Sequence, residues 1–428
     1  MLRFLVVACP VLTASVDDVD WLARANTIAR TLLPEFPESK ELGLFDASTA
    51  LWRTSNGSGD QLGWQNGYTL KTLSNFAACA RRKGAFPETV SAVTAALDRT
   101  FSALAWNAGR VAGDNKYDDL NFWTSTWRVA YAYTGNTTYA KAATNLLYDY
   151  VLKDSSWLVD SAAPDAIWRG TGPGVPCLGG ALWDKDAGYI NAISNQWLLY
   201  NLADAGSLDG VVARSDARAW AAEVWDWVAS SPMINDQHLF NDGLNPMPAV
   251  AGVACANNEQ QVWTYNQGVV LGGLAELAAT AETFEKRQEL LNAGIVIARA
   301  AATTLVAKST VNGNATVDVL DETACAKAED CRGNNEVFKG MFVQHLAHLV
   351  RVVEDGTGPT ADTEFFRRFV RDNAASLWQH ANSNAGSAKP PFFGFLWQGP
   401  APADQGSFYQ TTATQSIALD ATTTSACL

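Results

Sequence analysis

WTYNQGVVLGGLAEL, residues Trp263–Leu277, and the TFEKRQELLNAGIVIARAA that follows at Thr283–Ala301 decide the fold between them. The first opens on a polar and aromatic cluster, then turns small and apolar on every side, the pattern of a helix buried nearly all round. Gly272, Gly273 and Ala275 would let such a helix approach its neighbours closely. The second stretch carries a charged face and an apolar face, the pattern of a helix on the outside of the same core.

The alternation repeats along the chain. GWQNGYTLKTL at Gly63, YDDLNFW at Tyr117, GYINAISNQWLL at Gly188, EVFKGMFVQHL at Glu336 and YQTTATQSIAL at Tyr409 open in the same way. Their spacing of roughly 55 to 75 residues is that of a helix-pair repeat. The periodicity predicts helices near 18–33, 64–82, 87–106, 118–134, 137–152, 188–205, 212–229, 261–279, 281–305, 336–354, 360–381 and 405–420, with strand runs nearly absent. The chain reads as all-α, with an inner ring of six helices and an outer ring of six accounting for both patterns. If the inner helices run parallel, their polar openings gather at one mouth, and that mouth is the cleft. No Pro- or Gly-rich linker divides residues 16–428, which are read as one domain; the stretches 152–187 and 230–260 read as rim loops.

Composition narrows the function. The chain has 428 residues, 31 Lys+Arg against 44 Asp+Glu for a net charge of −13, and 16 Trp. An acidic surface repels phosphate, which disfavours nucleic acid and anionic membranes as partners. The Trp excess, about two to three times ordinary usage, points to a large core or to flat apolar ligands such as sugar rings. Residues 1–15 read as a secretory signal: Arg3, then an apolar run, then small residues at Ala14 and Ser15. Six cysteines follow it, at 79, 177, 255, 325, 331 and 427. Cys325 and Cys331 close a short polar loop and form the expected disulfide, whereas Cys79, in an apolar helix, reads as a buried thiol. Sequons at Asn56, Asn136 and Asn314 fit a secreted glycoprotein. No membrane span and no C-terminal anchor signal are read, so a soluble extracellular monomer is expected.

Asp118 and Asp119 are adjacent carboxylates at the start of the fourth helix, among Tyr117, Phe122, Trp123 and Trp127. An acidic pair at a helix N-terminus often only complements the helix dipole. Four aromatics at an inner-helix opening point instead to glycosidic cleavage, which needs one carboxylate and one carboxylic acid flanking a single bond. At a helix cap two adjacent side chains can lie on either side of that bond, and the short separation favours retention over inversion. Around the pair, Trp64, Gln65, Asn66, Trp123, Asn191, Asn195, Tyr265, Asn266 and Gln267 lie at inner-helix openings, where aromatics stack on sugar faces and amides bond hydroxyls; N-capping and core packing are the competing readings. Trp183 and Trp263 are weaker candidates, while Trp21, Trp52, Trp220, Trp225 and Trp227 read as packing. Asp184 and Asp186 read as a solvated turn. His345 and His348 lack the acidic neighbours of a metal site. No metal and no cofactor are implied.

YDDLNFW, GYINAISNQWLLYNLA after CLGGALW, WTYNQGVVLGGLAEL, and EVFKGMFVQHL after Cys325 and Cys331 resemble, in order, the successive blocks of glycoside hydrolase family 76, the endo-α-1,6-mannanases and their fungal wall relatives. Phe122 and Ile190 stand where many relatives carry Trp and Lys. The resemblance implies an (α/α)6 barrel and retaining cleavage of α-1,6-mannan or mannooligosaccharides, with Asp118 as nucleophile and Asp119 as general acid/base. The substrate-binding set read from the inner-helix openings is Trp123, Tyr117, Trp64, Asn66, Asn191, Tyr265, Asn266 and Gln267. The alternatives are a mannan transglycosylase of cell-wall remodelling and a catalytically silent mannan-binding protein.

Overall fold

The computed structural model describes residues 16–53, 63–104, 117–152, 180–181, 183, 189–208, 217–245, 256–312, 315–322, 331, 333–399 and 411–428. The proposed signal, Asn56, Asn314, Cys177, Cys255, Cys325, Asp184 and Asp186 lie outside them.

Among these residues run twelve principal helices: α1 (Val16–Leu32), α2 (Trp64–Arg82), α3 (Pro87–Ala103), α4 (Tyr117–Thr134), α5 (Thr137–Thr144, prolonged as a π-helix over Asn145–Val151), α6 (Ala192–Asp204), α7 (Ala217–Ser230), α8 (Thr264–Ala279), α9 (Phe284–Thr304), α10 (Phe338–Thr357), α11 (Ala361–Ser376) and α12 (Thr412–Cys427). The even-numbered helices form a closed inner ring in which each packs on the next and α12 returns to α2. Each odd-numbered helix from α3 to α11 packs outside the inner helix before it, and α1 closes the outer layer against α12. The molecule is therefore an (α/α)6 barrel.

Parallel inner helices follow from their contacts at matching depth. Gly268 and Gly272 of α8 face Phe342 and His345 of α10, and Gly273 faces Leu199 of α6. A methyl group on Gly268 would stand 2.5 Å from the Phe342 Cα, which is backbone and cannot yield. Glycine is required there to bring two buried helices together.

Inner helices rich in Thr, Ser and Asn are buried at little cost because many of their hydroxyls bond their own backbone one turn back. Thr69 donates to the Gln65 carbonyl at 3.1 Å, Thr124 to Leu120 at 2.9 Å, Ser416 to Thr412 at 2.8 Å and Thr422 to Ala418 at 2.8 Å. These hydroxyls are thereby paired inside the barrel, as burial demands.

Helix starts follow local caps. Asn136, Thr283, Thr360 and Thr411 each accept a backbone N–H of the first turn, the last two within capping boxes. The Thr411 box corrects the expected position of the last helix, which starts at Thr412 and runs to Cys427, beyond the predicted end at 420. A second correction is a β-hairpin of Val306–Val311 and Ala315–Leu320, in register Val306↔Leu320, where strands were not expected. Cys79 is the third, since it is bonded to Cys427, Cα to Cα 6.1 Å, and staples α2 to α12. Cys331 is disulfide-bonded as well; Cys325, its expected partner, is not among the described residues. No described helix is long and apolar enough to cross a membrane.

Candidate active site

The N-termini of the inner helices meet at one mouth of the barrel, and α4 enters it at Tyr117. The Tyr117 N–H donates to the Trp183 carbonyl at 3.1 Å, and the Trp183 N–H donates to the Tyr189 carbonyl at 2.6 Å, so the segment before α6 is pinned across the start of α4. This places the Trp183 indole N–H 3.2 Å from Asp118 Oδ2, while Asp118 Oδ1 accepts the Asp119 N–H at 3.1 Å. Both Asp118 oxygens are thus oriented by donors. Asp118 and Trp183 are half-buried, and Asp119, 8% exposed, is set deeper.

A third carboxylate stands at the mouth. Asp242, on the segment between α7 and α8, accepts the Tyr189 hydroxyl at 2.8 Å. Burial pushes its carboxyl up, against the opposing pull of Tyr189, Asn266 and Trp263. Asn258 donates to the Tyr189 oxygen at 2.6 Å, and the Asp242 carbonyl takes the first N–H of α6 at 2.7 Å. Tyr265 joins Asp242 and Asp118. Its phenol is driven well above its ordinary value by burial first, then by the charges of Asp242, Asp118, Tyr189 and Glu322. The ring stacks on Phe338 with centroids 3.7 Å apart and planes 6° from parallel, and Trp263 meets Phe338 edge-on at 5.6 Å. Trp263 is half-buried, so with Trp183 it offers aromatic surface at this mouth.

Beneath them lies a buried ionic group that ties α8 to α10. Glu322 accepts the Thr264 hydroxyl and, at 3.2 Å, the Thr264 N–H at the first turn of α8. Burial pushes its carboxyl up to about 7, against the pull of those bonds and of Lys339. Lys339 is fully buried, donates to the Phe395 carbonyl, and sits 3.9 Å over the Phe395 ring; burial lowers its ammonium to about 8 against the charges of Asp321 and Glu322.

The residues singled out in the sequence fall into two groups. Tyr117, Asp118, Asp119, Tyr265 and Asn266 gather around the mouth with Trp183, Trp263 and Asp242. Trp64, 9% exposed, packs its ring 4.5 Å from Phe122 at the opening of α2. The rest have structural partners. Asn66 accepts the Trp52 N–H at 2.7 Å, and the neighbouring Gln65 donates to the Gly333 carbonyl at 3.1 Å. Asn191 caps α6 by accepting the Ser194 N–H at 3.2 Å, and Asn195 clasps both the N–H and the carbonyl of Ala181. Gln267 does the same to Phe240, at 2.8 and 3.0 Å. Trp123, expected as a sugar platform, is fully buried and stacks on Trp127 at 5.7 Å, so its ring has no open face and it supports α4 from within. His348 pairs with Glu276 at 2.8 Å, and His345 packs edge-on to Tyr200, which gives both histidines places in the core. Among the described residues no group of three His, Cys, Asp or Glu side chains is arranged to hold a metal ion.

Asp242, Glu322 and Lys339 are the site residues that sequence reading missed. Asp242 is the one charge in LFNDGLN, and Glu322 in VDVLDE and Lys339 in EVFKGMF sit beside apolar residues with other charges close by. Such charges carry a cost unless they are paired, and that was the available signal.

The fold has counterparts among known proteins. The model of Glycosyl hydrolase family 76 matches residues 166–426. Mannan endo-1,6-alpha-mannosidase DCW1 of Candida albicans is 26% identical over 266 residues, 60% of this chain and 53% of that protein. Mannan endo-1,6-alpha-mannosidase DFG5 of Saccharomyces cerevisiae is 28% identical over 186 residues, 42% of this chain and 35% of that protein. The matches thus span about half or less of these relatives' length. Among solved structures, an inactive variant of the alpha-1,6-mannanase GH76A of Salegentibacter sp. HEL1_6, with two consecutive aspartates replaced and alpha-1,6-mannotetrose bound, superposes with a TM-score of 0.67 at 16% identity over 95% of this chain and 99% of that one. Dfg5 from Chaetomium thermophilum, in complex with glucosamine, gives 0.64 at 15% identity over 97% and 92%. These two likenesses are likenesses of fold.

Proposed function

Because the chain belongs to glycosyl hydrolase family 76, we propose that it is a secreted, monomeric endo-α-1,6-mannanase that cleaves mannan by retaining double displacement. The observation that carries this reading is the Asp118–Asp119 pair at the start of α4, with the Trp183 indole on Asp118. In the first step the Asp118 carboxylate attacks the anomeric carbon and the C1–O bond breaks, while Asp119 gives its proton to the departing oxygen. In the second, Asp119 takes a proton from water, whose oxygen displaces Asp118 and restores both groups. The N–H donors on both Asp118 oxygens suit the group that stays ionised, and the deeper placement of Asp119 suits the one that carries the proton.

Trp183 and Trp263 supply half-open aromatic faces for sugar rings, with Tyr117, Trp64, Tyr265 and Asn266 behind them. Two relatives named as mannan endo-1,6-alpha-mannosidases and a similar fold crystallised with alpha-1,6-mannotetrose support the substrate class. The test is hydrolysis of unbranched α-1,6-mannan by Asp118→Asn and Asp119→Asn, each expected to lose at least about 10³-fold in kcat. Undiminished hydrolysis in both sinks the assignment. NMR of the first product separates the stereochemistry: the α anomer means retention, the β anomer rejects it. Transfer to an added oligosaccharide acceptor in place of water would identify a transglycosylase.

A further inference from the structure

The opposite end of the barrel, where the inner helices finish, holds a cavity of about 420 Å³. It is walled by the later turns of α2, α4, α6, α8, α10 and α12, so it is separate from the mouth that holds Asp118. The Cys79–Cys427 bond lies in its wall and fixes the ends of α2 and α12 beside it.

Two features set this cavity apart from ordinary packing. The first is unpaired polarity. Lys71 is 2% exposed, His345 3% and Thr423 6%, and Lys71 Nζ, His345 Nε2, Thr423 Oγ1 and the partly buried Gln344 Oε1 have no hydrogen-bond partner among the described residues. All four side chains line the cavity. Four such groups on one wall are costly unless something in the cavity bonds them.

The second is charge. Lys71, Arg82 and Arg351 line the cavity, the two arginines being exposed at its rim and close enough to repel; no described carboxylate lies within ion-pair distance of either, although Arg351 feels the charges of Asp355 and Glu276. The one lining carboxylate, Glu276, is engaged by His348 at 2.8 Å. Asp420, behind Lys71, is engaged by Tyr68, by Thr72 at 3.1 Å and by Gln344 at 2.5 Å. Lys71 itself faces the Trp197 ring at 4.8 Å and the Tyr200 ring at 5.5 Å, contacts that tolerate a cation and leave its hydrogens unused. A recess lined by three cations, in a chain of net charge −13, suits a negative ligand that also offers a hydroxyl or protonated oxygen to Gln344 Oε1, which can only accept.

We propose that this recess is a second binding site, distinct from the mouth that holds the aspartate pair, for a small phosphate- or carboxylate-bearing molecule held between Lys71 and the Arg82–Arg351 pair. Its volume admits a ligand up to the size of a small charged metabolite.

Isothermal titration calorimetry of the full chain at pH 6 tests this, because the Lys71 ammonium, lowered by burial to about 7, still carries its proton there. Inorganic phosphate and citrate are the anionic probes, and mannose is the uncharged control. Saturable binding of at least one anion and none of mannose is expected. Arg82→Ser and Arg351→Ser, at exposed positions that leave the fold intact, should each weaken it about tenfold or more. Lys71→Met should abolish it, with circular dichroism confirming the fold. Asp118→Asn should leave it unchanged, so that this result and the catalytic reading fail independently. Absence of saturable binding of both anions up to about 10 mM overturns the proposal, and so does binding that both arginine variants retain in full. The relative affinities for phosphate and citrate distinguish the two ligand classes.

Discussion

Lys339→Met removes a buried cation while keeping most of its side-chain volume, and it tests whether the ionic group under the barrel mouth is a working unit. In the native chain Lys339 is fully buried beside Glu322 and donates to the Phe395 carbonyl. Glu322 and Lys339 act on each other through charge without ion-pair contact, so removing one costs at most about 3–5 kcal/mol, the cost of breaking a buried pair from one side. For 428 residues, at an unfolding entropy of about 2.1 cal/mol/K per residue, this lowers the midpoint by at most roughly 3–6 °C. The loss depends on pH in a defined direction. Glu322 is pushed up by burial to about 7, so folding favours its protonated form, and its contribution to stability falls as pH rises from the ordinary carboxylate range to that value. Lys339 opposes this rise, and without it the carboxyl moves higher still. The deficit of the variant is therefore small at pH 5, where Glu322 is neutral in both proteins, and full at pH 8. Removing an ammonium that burial lowers to about 8 also relieves a desolvation cost that is greatest at low pH, which shrinks the deficit at pH 5 further. The part that does not vary, about 1 kcal/mol, is the lost bond to Phe395. Denaturant unfolding at the two pH values measures the deficit, and Glu322→Gln in the same chain should recover most of it at pH 8. A deficit equal at both pH values, and untouched by Glu322→Gln, would refute the coupling.

Two further outcomes follow from contacts described above. Trp183→Phe deletes the indole N–H that reaches Asp118 at 3.2 Å and keeps an aromatic ring; kcat on α-1,6-mannooligosaccharides should fall about tenfold with KM nearly constant, and an unchanged kcat would deny the bond a role. Cys79→Ala with Cys427→Ala frees two residues 348 positions apart; the chain-entropy ceiling is about 6 kcal/mol, so the double variant should unfold at clearly lower denaturant under non-reducing conditions, and an unshifted midpoint would show the staple to be idle.

The barrel was legible because its two layers differ in composition: α8 is buried on every side, and α9 keeps a charged face. The candidate aspartate pair stood out because two carboxylates among aromatics at a buried opening lack a packing explanation. What escaped depended on partners far along the chain. Asp242 acquires meaning only through Tyr189 and Asn266, and Glu322 only through Thr264 and Lys339, across separations that no local pattern encodes. Trp123 is not the open platform it was expected to be, because α4 turns its side chain into the core, where an aromatic beside an acid is packing. The hairpin at Val306–Leu320 follows directly on a long helix, and its alternating run is broken by Ala307 and Lys308, so the strand signal was weak there.

The ring closure has a consequence for how the chain is made. The outer layer is completed by α1 resting on α12, and the inner ring by α12 resting on α2. In synthesis α1 and α2 therefore wait for α12, and no partial barrel can bury the apolar flanks of both. During that interval Cys79 is a thiol whose native partner at position 427 has yet to be synthesised. Formation of this bond marks the closing of the inner ring, which makes it a natural reporter for pulse-chase measurements of barrel assembly.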